Sequence, residues 1–440
     1  MGRAMLKRLT IHRFRTVRAG TELIFNAGLN VLLGRNGSGK TSLLDLISKV
    51  LRADFSELRE EEFDIAWEIE GGYRSTLRAR FSNQRVLPRE GNDPPLLGGD
   101  SPYPSLSLVV ESREASSKTL EIKVEGPLMQ WRTDQQEEWK QGAPIDLFLP
   151  DMVWRFRWQN PAESNALQLS LQVFGIEGGP AYRFDEALET FESITERVER
   201  VRRGRSVAEP LRREISWVDP GLSGVVPGNM GRYSYFDSSL YQVPQPQSGQ
   251  SSVPVKIQEN QHLWRFARYA GLQGFSMSLA VEGSYRTPVK AGFERLWWRF
   301  GAAEFLFTEP GGATFNHHGL SFGQKRLLAF LYYLDANARY VIADELVNGM
   351  HHEWIRICLD EIGGRQAFLT SQNPLLLDYI PLASAEDAHR TFLQCRAGRA
   401  GERSEFIWSN LSVEDAEELF KDRQVGIQQI GEILRVRGLW

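Results

Sequence analysis

The sequence predicts an α/β fold with a mixed or parallel core sheet, an antiparallel β-subdomain and an inserted α/β arm. Three observations lead there. A continuous apolar run, Leu29–Leu33, ends at a glycine-rich turn, and an amphipathic helical pattern follows at Ser42–Leu51. From Phe63 to Glu125 apolar residues recur with period two, as in half-exposed antiparallel strands. In the last third, buried-strand runs at Tyr340–Ala343 and Ala367–Thr370 alternate with helical patterns at Gln324–Leu334 and Glu353–Ile362. That order builds a parallel sheet.

Taken in order, Leu6–Phe14 alternates as a strand, and Thr21–Phe25 forms a second strand after the turn at Ala19–Gly20. Phe63–Glu70, Tyr73–Phe81, Leu106–Glu111 and Thr119–Val124 read as antiparallel strands, with a hairpin signal at Gly71–Gly72 and a Pro/Gly-rich loop at Pro88–Pro104. Met152–Trp158 and Ala166–Phe174 alternate again, and Asp185–Arg203 has a helical apolar face with a basic far end. Asp219–Pro254 is rich in Gly, Pro, Ser and Gln and reads as a long loop. Helical patterns are expected at Gln261–Tyr269 and Gly292–Phe300, and a short tail after Pro381. The chain therefore divides into an N-terminal lobe at 1–125, an inserted region of unassigned role at 126–284, and a C-terminal lobe at 285–440.

Composition narrows the function classes. With 440 residues, 42% hydrophobic and 25% charged, the chain supports more than one unit and a sizeable core. Its net charge of −4 supplies no global field for nucleic acid or anionic lipid, so a DNA contact requires a local patch. The run from Arg197 to Arg213, near Trp217, is the one candidate, and Glu192, Glu196 and Glu199 make a solvated helix face the simpler reading. Two isolated cysteines, Cys358 and Cys395, support neither a disulfide framework nor a zinc site. The apolar runs are too short to span a bilayer, and the basic start, Met1–Arg18, alternates rather than forming a signal-peptide core. A cytoplasmic chain without membrane contact is expected.

Three motifs carry chemistry. Gly34-Arg35-Asn36-Gly37-Ser38-Gly39-Lys40-Thr41 satisfies GxxxxGK[ST] between a buried strand and a helix. In such a loop, the backbone N–H groups of Gly34, Asn36, Gly37, Ser38 and Gly39 can wrap phosphate oxygens. The helix start at Thr41 and Ser42 adds its free N–H groups. Lys40 supplies a point charge, and the Thr41 hydroxyl suits Mg²⁺. Second, Tyr340–Ala343 ends in Asp344-Glu345. Paired carboxylates after a buried strand are costly unless a cation uses one and a proton transfer the other. Third, Ser321 and Gln324 form an S-x-x-Q capping box at a helix start, in Leu320–Arg326. This reads either as an ordinary capped helix or as an anion-facing N-terminus.

The order of these motifs resembles the ABC-type head ATPases of the RecF, SMC and OLD group. The carriers are LLGRNGSGKTSLLDLI at Leu32–Ile47, LSFGQKRLL at Leu320–Leu328, VIADELVNGMHHEW at Val341–Trp354 and TSQNPLLLDYI at Thr370–Ile380. LKRLTIHRFRTV at Leu6–Val17 and EILRVRGLW at Glu432–Trp440 are also similar to that group. The resemblance implies a P-loop fold of the ABC head type, with ATP and Mg²⁺ as cofactors. It makes Lys40 and Thr41 the Walker A pair, Asp344 the metal acid and Glu345 the catalytic base. Ser321, Gly323 and Gln324 become a signature that acts in trans, and Gln372 stands at the switch position. His351 in Gly349-Met350-His351 is then structural or a dimer contact. The implied partners are a second copy in an ATP-sandwich dimer or higher homo-oligomer, and a separate effector such as a nuclease in antiphage defence. Direct DNA binding, as in a RecF-like repair ATPase, is the alternative. A transporter's nucleotide-binding subunit fits less well, given the long insertion and Gln372. Two departures matter. Gln372 replaces a histidine, which points to slow or partner-stimulated hydrolysis, and Leu346 stands where a proline is common. For the Q-loop, Gln84 and Gln130 are the candidates.

Overall fold

The computed structural model describes residues 4–52, 55–71, 75–84, 104–112, 118–126, 128–133, 138–141, 184, 213–217, 228–229, 244, 246–247, 249–289, 293–337, 339–400, 403–425 and 430–436. The strands expected at Met152–Trp158 and Ala166–Phe174, the helix at Asp185–Arg203 and the arginines from Arg197 to Arg212 lie outside the described residues, as do Gly72 and most of Pro88–Pro104 and Asp219–Pro254. The chain forms two compact units. One comprises Met1–Arg183, Ala338–Leu346 and Gly364–Trp440, and the other Phe184–Asn337 and Val347–Gly363.

The first unit begins with β1 (Met5–Phe14), β2 (Thr21–Ile24), β3 (Leu29–Leu33), α1 (Lys40–Arg52), β4 (Phe63–Glu70), β5 (Ser75–Asn83), β6 (Ser105–Ser112), β7 (Lys118–Glu125), β8 (Leu128–Thr133) and β9 (Lys140–Gln141). All of these strands except β3 form one antiparallel sheet in the order β2-β1-β4-β5-β6-β7-β8-β9. Period-two patterning explains it. β4 alternates strictly between buried and half-buried residues, so Phe63, Ile65, Trp67 and Ile69 share the inner face. Phe81 meets Phe55 and Phe63 there edge-on, with ring centroids 5.0 and 4.9 Å apart.

The second unit holds β10 (Arg213–Trp217), β11 (Gly228–Asn229), β12 (Ser252–Val255), α2 (Phe266–Tyr269), β13 (Gly274–Val289), β14 (Phe293–Thr308), β15 (Thr314–Asn316), α3 (Phe322–Ala336) and α4 (His352–Ile362). Its antiparallel sheet runs β11-β10-β14-β13-β12, with β15 on β14. Residues 284 and 285, where the inserted region was expected to end, both lie within β13. The helix expected at Gly292–Phe300 is instead the start of β14. Phe293, Leu296, Trp297 and Phe300 do fall at helical spacing, but the segment pairs on both sides, with Trp297 opposite Tyr285 of β13 and Ser216 of β10. Tertiary pairing of an aromatic-rich segment outweighs local periodicity. Farther along β14, Phe305 and Phe307 stack with centroids 6.3 Å apart, and Phe266 of α2 packs on Phe307 at 5.5 Å.

α4 is tied to the segment around α2 by a buried carboxylate. Glu361, 7% exposed, accepts from His262 Nδ1 at 2.5 Å, from Arg265 Nη1 at 2.8 and 2.9 Å, and from the Tyr269 hydroxyl. Burial alone would raise its pKa, but the hydrogen bonds from His262, Tyr269 and Arg265 dominate and hold it at about 2. Trp354 Nε1 adds a bond to the Tyr269 carbonyl at 3.2 Å.

The first unit resumes with β16 (Tyr340–Ala343), β17 (Gln366–Thr370), α5 (Pro374–Asp378), α6 (Ala385–Thr391), β18 (Phe392–Ala400), β19 (Arg403–Asn410), α7 (Val413–Val425) and α8 (Ile430–Val436). The segment after Pro381 is therefore no short tail. It supplies β18 and β19, which complete a five-stranded sheet in the order β16-β17-β3-β18-β19. The first four strands are parallel and β19 is antiparallel. β3 is apolar apart from the buried Asn30, because both its faces are covered. Leu32 joins the cluster of α1 residues Leu43, Leu44, Leu46, Ile47 and Val50 with β1 and β4. Val31 and Leu33 face a second cluster with Leu377, Phe392, Leu419 and Leu434. Two side-chain amides, the buried Gln366 and the half-buried Asn410, bridge the two sheets. Gln366 accepts from Leu6 N at 2.8 Å and donates to the carbonyls of Leu6 and Asn26, both at 2.8 Å. Asn410 likewise accepts from Ile24 N and donates to its carbonyl.

Candidate functional site

The turn between β3 and α1 is shaped by glycines. Gly34 has φ +149°, and a Cβ there would fall 2.2 Å from the Cys395 carbonyl oxygen of β18 and 2.7 Å from Ser38 Oγ. Gly39 has φ +86°, and its Cβ would meet the Phe406 ring and Trp408 Nε1 of β19, each at 3.1 Å. The β18–β19 hairpin thus backs both ends of the loop. Trp408 Nε1 also donates to the Ser38 carbonyl at 3.4 Å. Phe406 and Trp408 stack beneath with rings 9° apart. Ser38 Oγ is buried and has no hydrogen-bond partner among the described residues. Lys40 Nζ donates to the carbonyls of Gly34 at 2.7 Å and Arg35 at 3.1 Å, so its charge lies over the loop.

The carboxylates come from β16. Parallel pairing sets Ala343 beside Leu369 of β17, so both strands end together, and β17 adjoins β3. Thr41 Oγ1 of α1 donates to Asp344 Oδ2 at 2.6 Å. From the buried side, Thr370 donates to Asp344 Oδ1 and accepts from Glu345 N at 2.8 Å. Glu345 has φ +49°, a left-handed conformation uncommon outside glycine. The two adjacent acids meet different partners, Thr41 and Thr370 for Asp344 and Gln372 for Glu345. The exposed Gln372 side chain donates to Glu345 Oε1 and reaches Asn36 Oδ1 at 3.4 Å. Asn36, Thr41, Asp344, Glu345 and Gln372 are thereby linked around the glycine turn. Thr370 was not among the candidates from sequence. Its signal was a hydroxyl residue closing a strand that is otherwise apolar after Gln366.

Ser321, Gly323 and Gln324 belong to the second unit. Ser321 caps α3, accepting from Gln324 N at 3.3 Å, while Gln324 Oε1 accepts from Ser321 N at 2.9 Å. The capping box is real, and it occupies the Gln324 carbonyl. Gly323 lies against α4, since a Cβ would be 2.9 Å from both the Gly349 carbonyl and the Trp354 ring. Phe322 is 58% exposed beside them. His351 is exposed at the N-cap of α4 and makes no side-chain cap bond. Gln84 lies just beyond β5, and Gln130 sits in β8, paired with Lys123 and Gln141. Both cysteines are buried, and burial pushes the Cys395 thiol up to about 12 and raises that of Cys358 further. Among the described residues, no helix is long and apolar enough to cross a membrane.

Comparison with known proteins gives two family matches in chain order. One, described as an AAA domain, covers residues 8–125. The other, described as "AAA domain, putative AbiEii toxin, Type IV TA system", covers residues 232–378. A curated relative, the DNA replication and repair protein RecF of Psychromonas ingrahamii, is 55% identical over 42 residues, which is 10% of this chain and 11% of the relative's length. Among solved structures, the SMC head domain from Thermotoga maritima is 11% identical with a TM-score of 0.34, covering 92% of this chain and 99% of that one. The recombination mediator RecF solved with an ATP analogue is 13% identical with a TM-score of 0.28, covering 84% and 93%. Residues 8–125 and 232–378 thus each match an AAA-domain model, the second reaching into the region 126–284, and a 42-residue stretch is similar to RecF.

Proposed function

We propose that the chain binds Mg-ATP at Gly34–Thr41 and hydrolyses it slowly, with two copies joined head to head. The observation that carries this reading is the 2.6 Å bond from Thr41 Oγ1 to Asp344 Oδ2, which unites the helix start after the glycine turn with the carboxylates of a distant strand. The residues fit the ligands. Ser38 Oγ and the loop N–H groups suit phosphate oxygens, and Lys40 lies over the loop to receive their charge. Thr41 and Asp344 are hard oxygen donors of the kind Mg²⁺ takes, and they would hold it. When bound, the ion neutralises charge on the β- and γ-phosphates.

Glu345 acts as the base that orients and deprotonates the attacking water. Gln372 holds its carboxylate by an amide N–H and cannot carry a proton charge, which favours slow or partner-stimulated turnover. Ser321, Gly323 and Gln324, at the N-terminus of α3, serve the γ-phosphate of the second copy, where the helix dipole favours an anion. ATP-driven closing of the pair then controls a separate effector such as a nuclease in antiphage defence, in a cytoplasmic setting. The description of the second AAA match as a toxin of a type IV toxin–antitoxin system favours this output. The short match to a DNA repair protein favours the second reading, direct action on DNA. The test is phosphate release by Glu345→Gln beside ATP binding. Binding kept with turnover lost supports the assignment, and turnover at the parent rate removes Glu345 from it.

A further inference from the structure

We infer that Thr370 is a positioning residue for the two acids, setting the direction of Asp344 and the backbone turn at Glu345 with a single hydroxyl. The inference rests on the ATPase reading above. Thr370 closes β17 and is 0% exposed. Asp344 as a carboxylate only accepts, so the hydroxyl proton must go to its Oδ1. The oxygen's lone pairs then remain for Glu345 N, at 2.8 Å. One side chain thereby fulfils two tasks. It pins one Asp344 oxygen on the buried side, leaving the other to Thr41. It also gives the Glu345 N–H an acceptor in the uncommon φ +49° conformation. A carboxylate that meets a cation is oriented by such outer partners, and losing one typically costs about 10–100-fold in metal affinity or activity.

The test compares the full-length chain with Thr370→Val and Thr370→Ser. Valine keeps the shape and the strand preference but removes the hydroxyl, whereas serine keeps the hydroxyl. Should the valine chain not fold, Thr370→Ala removes the same group. Two readouts are taken, the kcat and KM for ATP hydrolysis and the Mg²⁺ dependence of binding of a fluorescent ATP analogue. The valine variant is expected to lose about 10–100-fold in kcat and to need about 10-fold more Mg²⁺ for binding, with Mg²⁺-free nucleotide affinity unchanged and serine restoring both. Parent-like kcat and Mg²⁺ dependence in the valine variant would overturn the inference, and so would a serine variant as impaired as valine. If the parent chain shows no turnover at all, the ATPase reading fails by itself, and the Mg²⁺ titration still decides Thr370.

Discussion

Replacing Glu361 with glutamine should loosen α4, and the size of the loss follows from the carboxylate's surroundings. Glu361 is buried and accepts from His262, Arg265 and Tyr269. Its pKa is held at about 2 against an ordinary 4.5, which at about 1.4 kcal/mol per pH unit corresponds to about 3 kcal/mol. The folded value is depressed, so this stability is fully present above the ordinary carboxylate pKa and is lost as pH falls from 4.5 toward 2. Glu361→Gln at neutral pH leaves Arg265 with a neutral partner, and because the Arg265 side chain is itself exposed, about 3 kcal/mol is an upper bound on the loss. Urea denaturation gives the global loss, and hydrogen exchange of α4 amides localises it. The deficit should shrink on acidification and vanish near pH 2. A variant as stable as the parent at neutral pH, or a deficit that does not change with acid, would show that the Glu361 charge does not hold α4. The site has a stake in this, because the start of α4 packs on Gly323 through Trp354.

Two further substitutions probe the nucleotide residues. Lys40→Ala should weaken binding of a fluorescent ATP analogue by at least about 10-fold, since a charge-assisted hydrogen bond is worth about 1.5–3 kcal/mol; calorimetric affinity equal to the parent would exclude Lys40 from the phosphates. Ser321→Arg should leave ATP binding by single chains intact while cutting turnover about 10-fold or more, because a bulky cation replaces a small cap at the helix start. Unchanged turnover would reduce Leu320–Arg326 to an ordinary capped helix.

Much of the fold was legible because local pattern and burial agree. Leu29–Leu33 and Tyr340–Ala343 read as buried strands and are so. Period-two residues in Phe63–Glu70 foretell the alternation of β4. The misreading of Phe293–Phe300 arose where helical spacing and β-propensity competed and a strand partner decided. The strands after Pro381 were missed because β18 and β19 carry Gln394, Arg396, Arg399 and Glu405 among their apolar residues, which blurs the alternation. The place of β18 beside β3 depends on pairing across more than 350 positions. At the site, the glycine turn and the acidic pair stand out as residue types. The roles of Thr370, Cys395 and Trp408 do not, because each acts through a contact with a remote segment. Gln366 is legible only as a polar residue in an apolar strand, and its bonds to Leu6 and Asn26 explain why it is tolerated there.

In the proposed function, two copies share each triphosphate. Sedimentation velocity of Glu345→Gln, with and without Mg-ATP, tests it most directly. A monomer is expected without nucleotide and a stable dimer with it, abolished by adding Ser321→Arg. A Glu345→Gln chain that binds ATP yet sediments as a monomer at saturating nucleotide would contradict it.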